Sequence, residues 1–475
     1  MRDSPIKFGT DGWRAVIAED FTFDNVRICA QAVANYLADV KMAGKGLVIG
    51  YDTRYGSERF AAAVAEILAG NGIKAFLCRK ALPTPVISYG ILVNRAAGAI
   101  IITASHNPAQ WNGFKYKPEY AGSASPQVIS GIEGHIPAII DSGGVRRTGL
   151  EQGLKQKLVS YIDPLPPYLE QINKLVDIDA IRGAGLNVAV DSMYGAGAGI
   201  LKRILAGGST KVTEINGKRN PLFPQINPEP IMRNMKKLSR LIVRRGFDVG
   251  LATDGDADRI GIMDEKGEFI TQLVTYGLLT LYMLEVLGER GAIVKTITTT
   301  DMVYRLGQIY DVPVYETSVG FKYVGPLMIE NNALIGGEES GGYGFRGHIP
   351  ERDGILAGLF FLDMMMKLNM KPSELVSHLY SKVGPHYYHR VDVHFPARER
   401  DAIISRIAGS NPGQIDGVPV IKIDTFDGYR FRLADMSWLL IRFSGTEPVL
   451  RIYAETSSPQ RVEELLAAGK KLAGV

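Results

Sequence analysis

Hydrophobic positions follow two rhythms along this chain. Over about the first 140 residues, short continuous apolar runs at 47–51, 73–77 and 99–103 alternate with amphipathic stretches of 3.6-residue period at 25–37 and 57–68. Continuous runs predict strands buried on both faces, and amphipathic partners predict the helices that cover them, so the expectation is a parallel α/β unit. The alternation restarts at 186–191 and ends at 254–259. A third round runs from 292–296 through 312–315 to 337–342 and closes with helices before Gly384 and Pro385. The pattern then changes. Strand-like runs at 391–394, 418–423, 429–433, 437–441 and 450–454, with helices at 396–407 and 459–472, predict an α+β tail of adjacent, antiparallel strands. Turn-prone stretches at 142–149 and 163–167 mark a linker zone. The expected organisation is three similar three-layer α/β domains, at 1–150, 151–259 and 260–382, followed by a smaller α+β domain at 383–475.

Length agrees with this division, because 475 residues at roughly 100–200 per domain give three or four units, each able to bury a core. Composition narrows function mostly by exclusion. A hydrophobic share of 46% and a charged share of 22% are ordinary for a soluble globular protein. The net charge of +4 gives no reason to expect nucleic acid and leaves room for a small anion. Cys29 and Cys78 lie inside a predicted helix and strand, so neither a disulfide framework nor a zinc site is indicated, and a reducing cytoplasm fits. The first residues lack the apolar stretch of a signal peptide. The most apolar later run, 355–366, contains Gly358 and Asp363 and is too short for a bilayer, so it is read as a buried helix and no membrane partner is expected. Arg233, Lys236, Lys237, Arg240, Arg244 and Arg245 fall at helical spacing and read as a solvated helix face.

Candidate chemistry sits in loops at the ends of predicted strands, where ligands of such sheets bind. Thr-Ala-Ser-His-Asn-Pro at 103–108 follows four apolar residues and displays the hydroxyl of Ser105 at a strand-to-loop corner, as group transfer requires. In Asp-Gly-Asp-Ala-Asp-Arg at 254–259, Gly255 and Ala257 let the backbone curl, so that Asp254, Asp256 and Asp258 converge as hard oxygen ligands for Mg²⁺. A calcium-binding loop is excluded, because Arg259 replaces the glycine that its sixth position needs. Arg442, Ser444, Gly445 and Thr446, with Arg451 beyond them, combine fork donors, hydroxyls and an approachable backbone in a phosphate cradle. The glycine-rich stretch 191–199 is not a dinucleotide fingerprint, since Ile200 stands where the last glycine belongs.

These motifs, together with Phe-Gly-Thr-Asp-Gly-Trp-Arg at 8–14 and Gly-Glu-Glu-Ser-Gly-Gly at 337–342, resemble in their order the α-D-phosphohexomutase family, most of all its phosphoglucomutases. The resemblance implies the four domains arranged around a central cleft, a phosphorylated Ser105 that shares Mg²⁺ with the three aspartates, and catalytic amounts of a hexose 1,6-bisphosphate as activator. It also implies that Glu338 and Ser340 hold sugar hydroxyls and that Arg14 and Arg259 brace phosphoryl oxygens. His106, Lys115 and Lys322 are the candidates for proton transfer. Lys322 is favoured, and Lys115 reads equally as an ordinary surface lysine. The Glu-Glu-Ser sequence and Lys322 point to glucose 1-phosphate and glucose 6-phosphate. Gly342 stands where phosphoglucosamine mutases and dual phosphomannomutases carry histidine, so those two activities remain the alternatives. A Mg²⁺-dependent phosphoserine phosphatase is a further alternative, and a non-catalytic sugar-phosphate sensor is disfavoured because Ser105 and all three aspartates are present. The expected partners are sugar phosphates, and the expected state is a monomer or homodimer.

Overall fold

A computed structural model describes residues 5–9, 11–444 and 448–475. The first sheet contains β1 (Trp13–Val16), β2 (Leu47–Tyr51), β3 (Ala75–Cys78), β4 (Gly98–Ile102), β5 (Trp111–Pro118) and β6 (Val159–Ile162), in the order β1-β5-β4-β2-β3-β6. The second contains β7 (Asn187–Asp191), β8 (Lys211–Ile215), β9 (Val249–Thr253), β10 (Ile260–Met263) and β11 (Phe269–Ile270), in the order β11-β10-β9-β7-β8. The third contains β12 (Ile293–Thr296), β13 (Val314–Thr317), β14 (Ile335–Gly337) and β15 (Tyr343–Phe345), in the order β13-β12-β14-β15. Four strands recur in one arrangement: β5-β4-β2-β3, β10-β9-β7-β8 and β15-β14-β12-β13. The threefold repetition suspected from strand and loop placement is therefore a repetition of topology.

The sheets are mixed, where the apolar lead-ins alone predicted parallel ones. Strands β4, β9 and β14 pair in parallel on one side, but on the other side each meets an antiparallel neighbour, β5, β10 or β15. The antiparallel neighbours are the chain segments that follow the candidate loops. They were hidden because 111–118, 260–263 and 343–345 mix polar or glycine residues into short runs. Each candidate loop is thus closed by strands at both ends.

One apolar cluster joins these three units. It runs from Val48 and Ile101 through Val190 and Leu251 to Ile293 and Ile335. Helix Gly354–Leu368 lies within it, with every residue from Gly354 to Met365 buried, which accounts for the apolar character of this run. Its first turn is fixed by Asp353, whose Oδ1 accepts the N–H groups of Ile355 and Leu356 at 2.9 Å each. No helix among the described residues is long and apolar enough to span a bilayer. Lys236–Arg245 forms the expected basic helix, and Arg233 precedes it in a short 3₁₀ turn.

The last sheet comprises β16 (Tyr387–His394), β17 (Gln414–Ile415), β18 (Val418–Asp424), β19 (Tyr429–Leu433), β20 (Trp438–Phe443) and β21 (Val449–Thr456), paired antiparallel throughout in the order β16-β21-β20-β19-β18-β17. It has its own core, in which Leu439, Ile452 and Leu465 take part. Its joint to the third unit is largely polar. Arg430, fully buried, donates to both oxygens of Glu316 on β13 and, at 2.7 Å, to Asp424 Oδ2. Replacing Arg430 by Ala would leave two buried carboxylates undercompensated, and a loss of about 3 kcal/mol is expected. Urea unfolding of a Trp13→Phe/Trp111→Phe background, in which Trp438 is the remaining tryptophan, checks it by fluorescence, and an unchanged midpoint would remove this cluster from the stability of the joint.

Candidate active site

Ser105 follows β4 in a left-handed backbone conformation, φ +52°, which costs a non-glycine residue about 1–2 kcal/mol. Buried hydrogen bonds hold it there. Its N–H donates to Thr103 Oγ1 at 2.9 Å. The fully buried Arg54 donates to the carbonyl oxygens of Ser105 (2.7 Å), Asn107 (2.6 Å), Pro108 (2.9 Å) and Trp111 (3.0 Å). With the loop backbone pinned in this way, Ser105 Oγ donates to Asp254 Oδ2 at 2.8 Å. Gly255 makes this approach possible, because a Cβ there would stand 2.3 Å from the Ser105 carbonyl oxygen.

The turn between β9 and β10 brings Asp254, Asp256 and Asp258 together, buried, with candidate ligand atoms all within 4.8 Å of one another. Asp254 Oδ1 accepts the N–H groups of Asp258 and Arg259, at 3.0 and 3.2 Å. Asp256 Oδ1 and both oxygens of Asp258 accept no hydrogen bond among the described residues. Burial, and then the charges of Asp256 and Asp258, push Asp254 well above the usual carboxylate range. Asp256 moves the other way. Burial opposes its charge, but Lys115 and the Thr84 hydroxyl hold it low. Hard oxygen donors, several of them orphaned and crowded by like charge, suit a small divalent cation such as Mg²⁺.

Lys115 is no surface lysine. It is buried on β5, with Nζ 2.8 Å from Asp11, 2.9 Å from Asp256 and 3.7 Å from Asp258. Burial disfavours its charge, yet these three carboxylates raise its pKa, so it stands as a fixed cation. Arg14 Nη1 donates to Asn107 Oδ1 at 2.6 Å, which sets it beside the serine loop. Arg259 Nε lies 3.8 Å from Asp258 Oδ1 and, among the described residues, is buried without a hydrogen-bond partner. His106 Nδ1 is 3.4 Å from Ser105 Oγ, and burial together with Arg259 and Arg14 lowers its pKa, favouring neutral imidazole.

The third unit contributes the stretch after β14. Burial raises the pKa of Glu338, whose Oε2 accepts from Arg352 Nη1 at 3.1 Å. Among the described residues, the buried Ser340 Oγ has no hydrogen-bond partner. Arg352 Nη2 lies 2.8 Å from Asp11 Oδ2 and 2.7 Å from Asp258 Oδ2, the latter contact being an ion pair outside hydrogen-bond geometry. A Cβ on Gly342 would fall 2.2 Å from Arg352 Cδ. The space where a histidine side chain would begin is therefore filled by Arg352. Lys322, in the first turn of helix Phe321–Glu330, is half-buried, and burial lowers its pKa against the pull of Asp11 and Asp427.

Arg442 and Arg451 face each other in register on β20 and β21, with Ser444 just beyond β20. Among the described residues, the buried Arg451 Nε has no hydrogen-bond partner. Gly445 and Thr446 lie outside the described residues. The structure thus joins Ser105, the aspartates, Lys115 and Glu338 in one charged network and sets the arginine pair apart on the last sheet.

Sequence reasoning did not single out Asp11, Arg54 or Arg352. Asp11 lay inside the 8–14 stretch, and the charged run Glu351-Arg352-Asp353 just before a wholly apolar helix was a usable signal. Arg54 gave none.

Comparison with known proteins places this geometry. The chain matches, in order, phosphoglucomutase/phosphomannomutase alpha/beta/alpha domain I at 5–142, domain II at 166–267, domain III at 274–383 and the C-terminal domain at 402–470. It is 32% identical to the phosphoglucomutase/phosphomannomutase of Thermococcus kodakarensis over 98% of both chains. Identity is 27% to the phosphoglucomutase of Komagataeibacter xylinus, covering 95% of this chain and 87% of that one. A protein assigned as a phosphomannomutase from Thermus thermophilus has a crystal structure similar to this one, with a TM-score of 0.86, 33% identity and 99% of each chain covered. Fold and matches define a phosphotransferase mutase of the phosphohexomutase class. The chain belongs to the phosphoglucomutase/phosphomannomutase family.

Substituting Gly255 by Ala would force the acidic turn away from Ser105. If the triad holds Mg²⁺, its affinity is expected to fall at least about tenfold, read by titration calorimetry with circular dichroism as the control for folding. Unchanged affinity would mean that the loop accommodates the methyl group.

Proposed function

We propose that the protein interconverts glucose 1-phosphate and glucose 6-phosphate through phosphorylated Ser105 and a glucose 1,6-bisphosphate intermediate. The observation that carries this reading is the pairing of Ser105 Oγ with Asp254 inside a buried triad that has orphaned oxygens, with a separate arginine pair on another sheet. Asp254, Asp256 and Asp258, with the oxygen on Ser105, would hold Mg²⁺, which when bound supplies charge neutralisation at the phosphoryl group.

The chain's own groups account for the rest. The bond between Ser105 Oγ and phosphorus breaks as a sugar hydroxyl bonds to that phosphorus. Lys322, its pKa lowered by burial, takes the hydroxyl proton. Arg14, Arg259 and the fixed cation Lys115 stabilise charge on the phosphoryl oxygens. His106, neutral beside Ser105, is available to hold a proton there. The bisphosphate then turns end for end. Its other phosphoryl group passes to Ser105, and the proton returns to the oxygen left on the sugar. Both orientations place a phosphate at the far end, which gives Arg442, Ser444, Gly445, Thr446 and Arg451 one task in both half-reactions. Glu338 and Ser340, whose buried Oγ lacks a partner, receive two sugar hydroxyls in either orientation.

Glucose is favoured by the Glu-Glu-Ser sequence, by Lys322, and by Arg352 in the space that a histidine at 342 would need. Relatives assigned as phosphomannomutase and phosphoglucosamine mutase keep those sugars as the second reading. The deciding assay follows turnover of the three 1-phosphates side by side with Mg²⁺ and a trace of each 1,6-bisphosphate. A preference for glucose without phosphate release supports the proposal, whereas free phosphate as the main product would mean a phosphatase. The two buried, unpaired cysteines suit a reducing cytoplasm.

Ser105→Ala is expected to abolish turnover while leaving sugar-phosphate binding within about tenfold; substantial residual mutase activity would refute the phosphoserine role. Lys322→Met should remove the rise of kcat with pH that deprotonation of a lysine with lowered pKa produces. If the pH profile keeps its shape, another group is the base.

A further inference from the structure

The cradle arginines and the residues proposed to read the sugar belong to different sheets, yet the substrate must touch both at once. Something has to set their separation. Among the described residues, Glu316, Glu339, Asp427 and Glu455 all link the third unit to the last sheet, and two of them, Asp427 and Glu339, adjoin the residues in question. Asp427, in the turn between β18 and β19, accepts Arg442 Nε on Oδ1 at 2.8 Å and the backbone N–H of Val319 on Oδ2 at 2.7 Å. Val319 begins the Val-Gly-Phe-Lys corner that leads into the helix carrying Lys322. It also packs on the apolar cluster of Ile297, Trp438, Leu440 and Tyr453, which spans the third unit and the last. The second bridge is Glu339, lying between the proposed sugar ligands Glu338 and Ser340. Its Oε1 accepts from Tyr388 (3.0 Å) and Arg390 (3.2 Å), both on β16, the strand paired with the β21 strand of Arg451.

Of the two, Asp427 acts on a cradle side chain itself. The turn that bears it is built for close approach. Gly428 has φ +102°, and a Cβ there would stand 2.7 Å from the Ile441 carbonyl oxygen and 3.1 Å from Arg442 Cβ. Asp427 and Arg442 are mostly buried, with side-chain exposures of 18% and 16%, so their charge-assisted hydrogen bond restricts the guanidinium more than an exposed pair would. Asp427 engages Nε and neither of the two terminal nitrogens of Arg442, the pair that would form the fork a phosphate takes in bidentate fashion.

We propose that Asp427 is a positioning residue: it fixes the fork of Arg442 at a set distance from the Val319–Lys322 corner, and so matches the cradle to the span between the reacting hydroxyl and the distal phosphate. Asp427 does not touch the substrate. This inference rests on the reading of Arg442 as a phosphate ligand given above.

A double-mutant cycle tests it, with KM and kcat measured in both directions for the unaltered enzyme, Asp427→Asn, Arg442→Ala and the double variant. Arg442→Ala should raise KM for both isomers. Asp427→Asn, which keeps the shape but loses the charge and one acceptor, should raise both KM values about tenfold with kcat altered less than about threefold. In the Arg442→Ala background the same substitution should change KM less than about twofold. Phe426→Ala, at the exposed neighbouring position, should change neither constant. Unchanged KM in Asp427→Asn, or an undiminished effect of it in the Arg442→Ala background, would overturn the positioning role. Unchanged KM in Arg442→Ala would instead overturn the cradle reading on which the proposal rests. Gly428→Ala keeps both charges but displaces the turn, and supplies a second variant expected to raise KM in the same way should Asp427→Asn fold poorly.

Discussion

Buried charge must be balanced where it lies, and that constraint organises this molecule. Asp11, Asp254, Asp256 and Asp258 are gathered out of water among Lys115, Arg352, Arg14 and Arg259. An isolated carboxylate in such a place would be driven neutral. Here the second unit's Asp254, Asp256 and Asp258 are met by cations from other units, Lys115 from the first and Arg352 from the third. Neutralisation therefore requires all three units to be in place together. The apolar cluster beneath them supplies the non-directional attraction, and the ionic web above it selects one arrangement.

This division explains which features could be read from the sequence. Runs with a strong local signal were legible: 47–51 and 429–433 coincide with β2 and β19, and helix Ser57–Gly70 extends the 57–68 prediction by one half-turn. Ser105 and the three aspartates were legible because each motif is continuous along the chain. The supporting residues were not, because their partners are remote: Asp11 and Arg352 are 341 positions apart, Lys115 and Asp256 141 apart. Nothing local announces such pairs. Lys115 shows the same limit, since burial belongs to the assembled sheet and not to the lysine. The antiparallel strands β5, β10 and β15 escaped for a related reason: their pairing partners define them more than their composition does.

Glycine positions carry information of another kind. In sequence Gly255 reads as a turn former and Gly342 as the place of a missing histidine, but in the structure they mark occupied space, one taken by the Ser105 carbonyl and the other by the Arg352 side chain. A loop ending in Gly-Gly rather than Gly-His thus reports on a residue ten positions later. The 337–342 loop and the charged run before helix Gly354–Leu368 form one packed unit.

The contrast between the two kinds of joint has a thermodynamic consequence. The first three units share one continuous apolar core, so exposing any part of it to water raises the heat capacity of a single cooperative body. The last sheet keeps a core of its own and meets the rest through carboxylates, guanidinium groups and a small apolar contact. A chain jointed in this way is expected to melt in more than one step, with a calorimetric enthalpy above the van't Hoff value, the smaller body giving way before the larger.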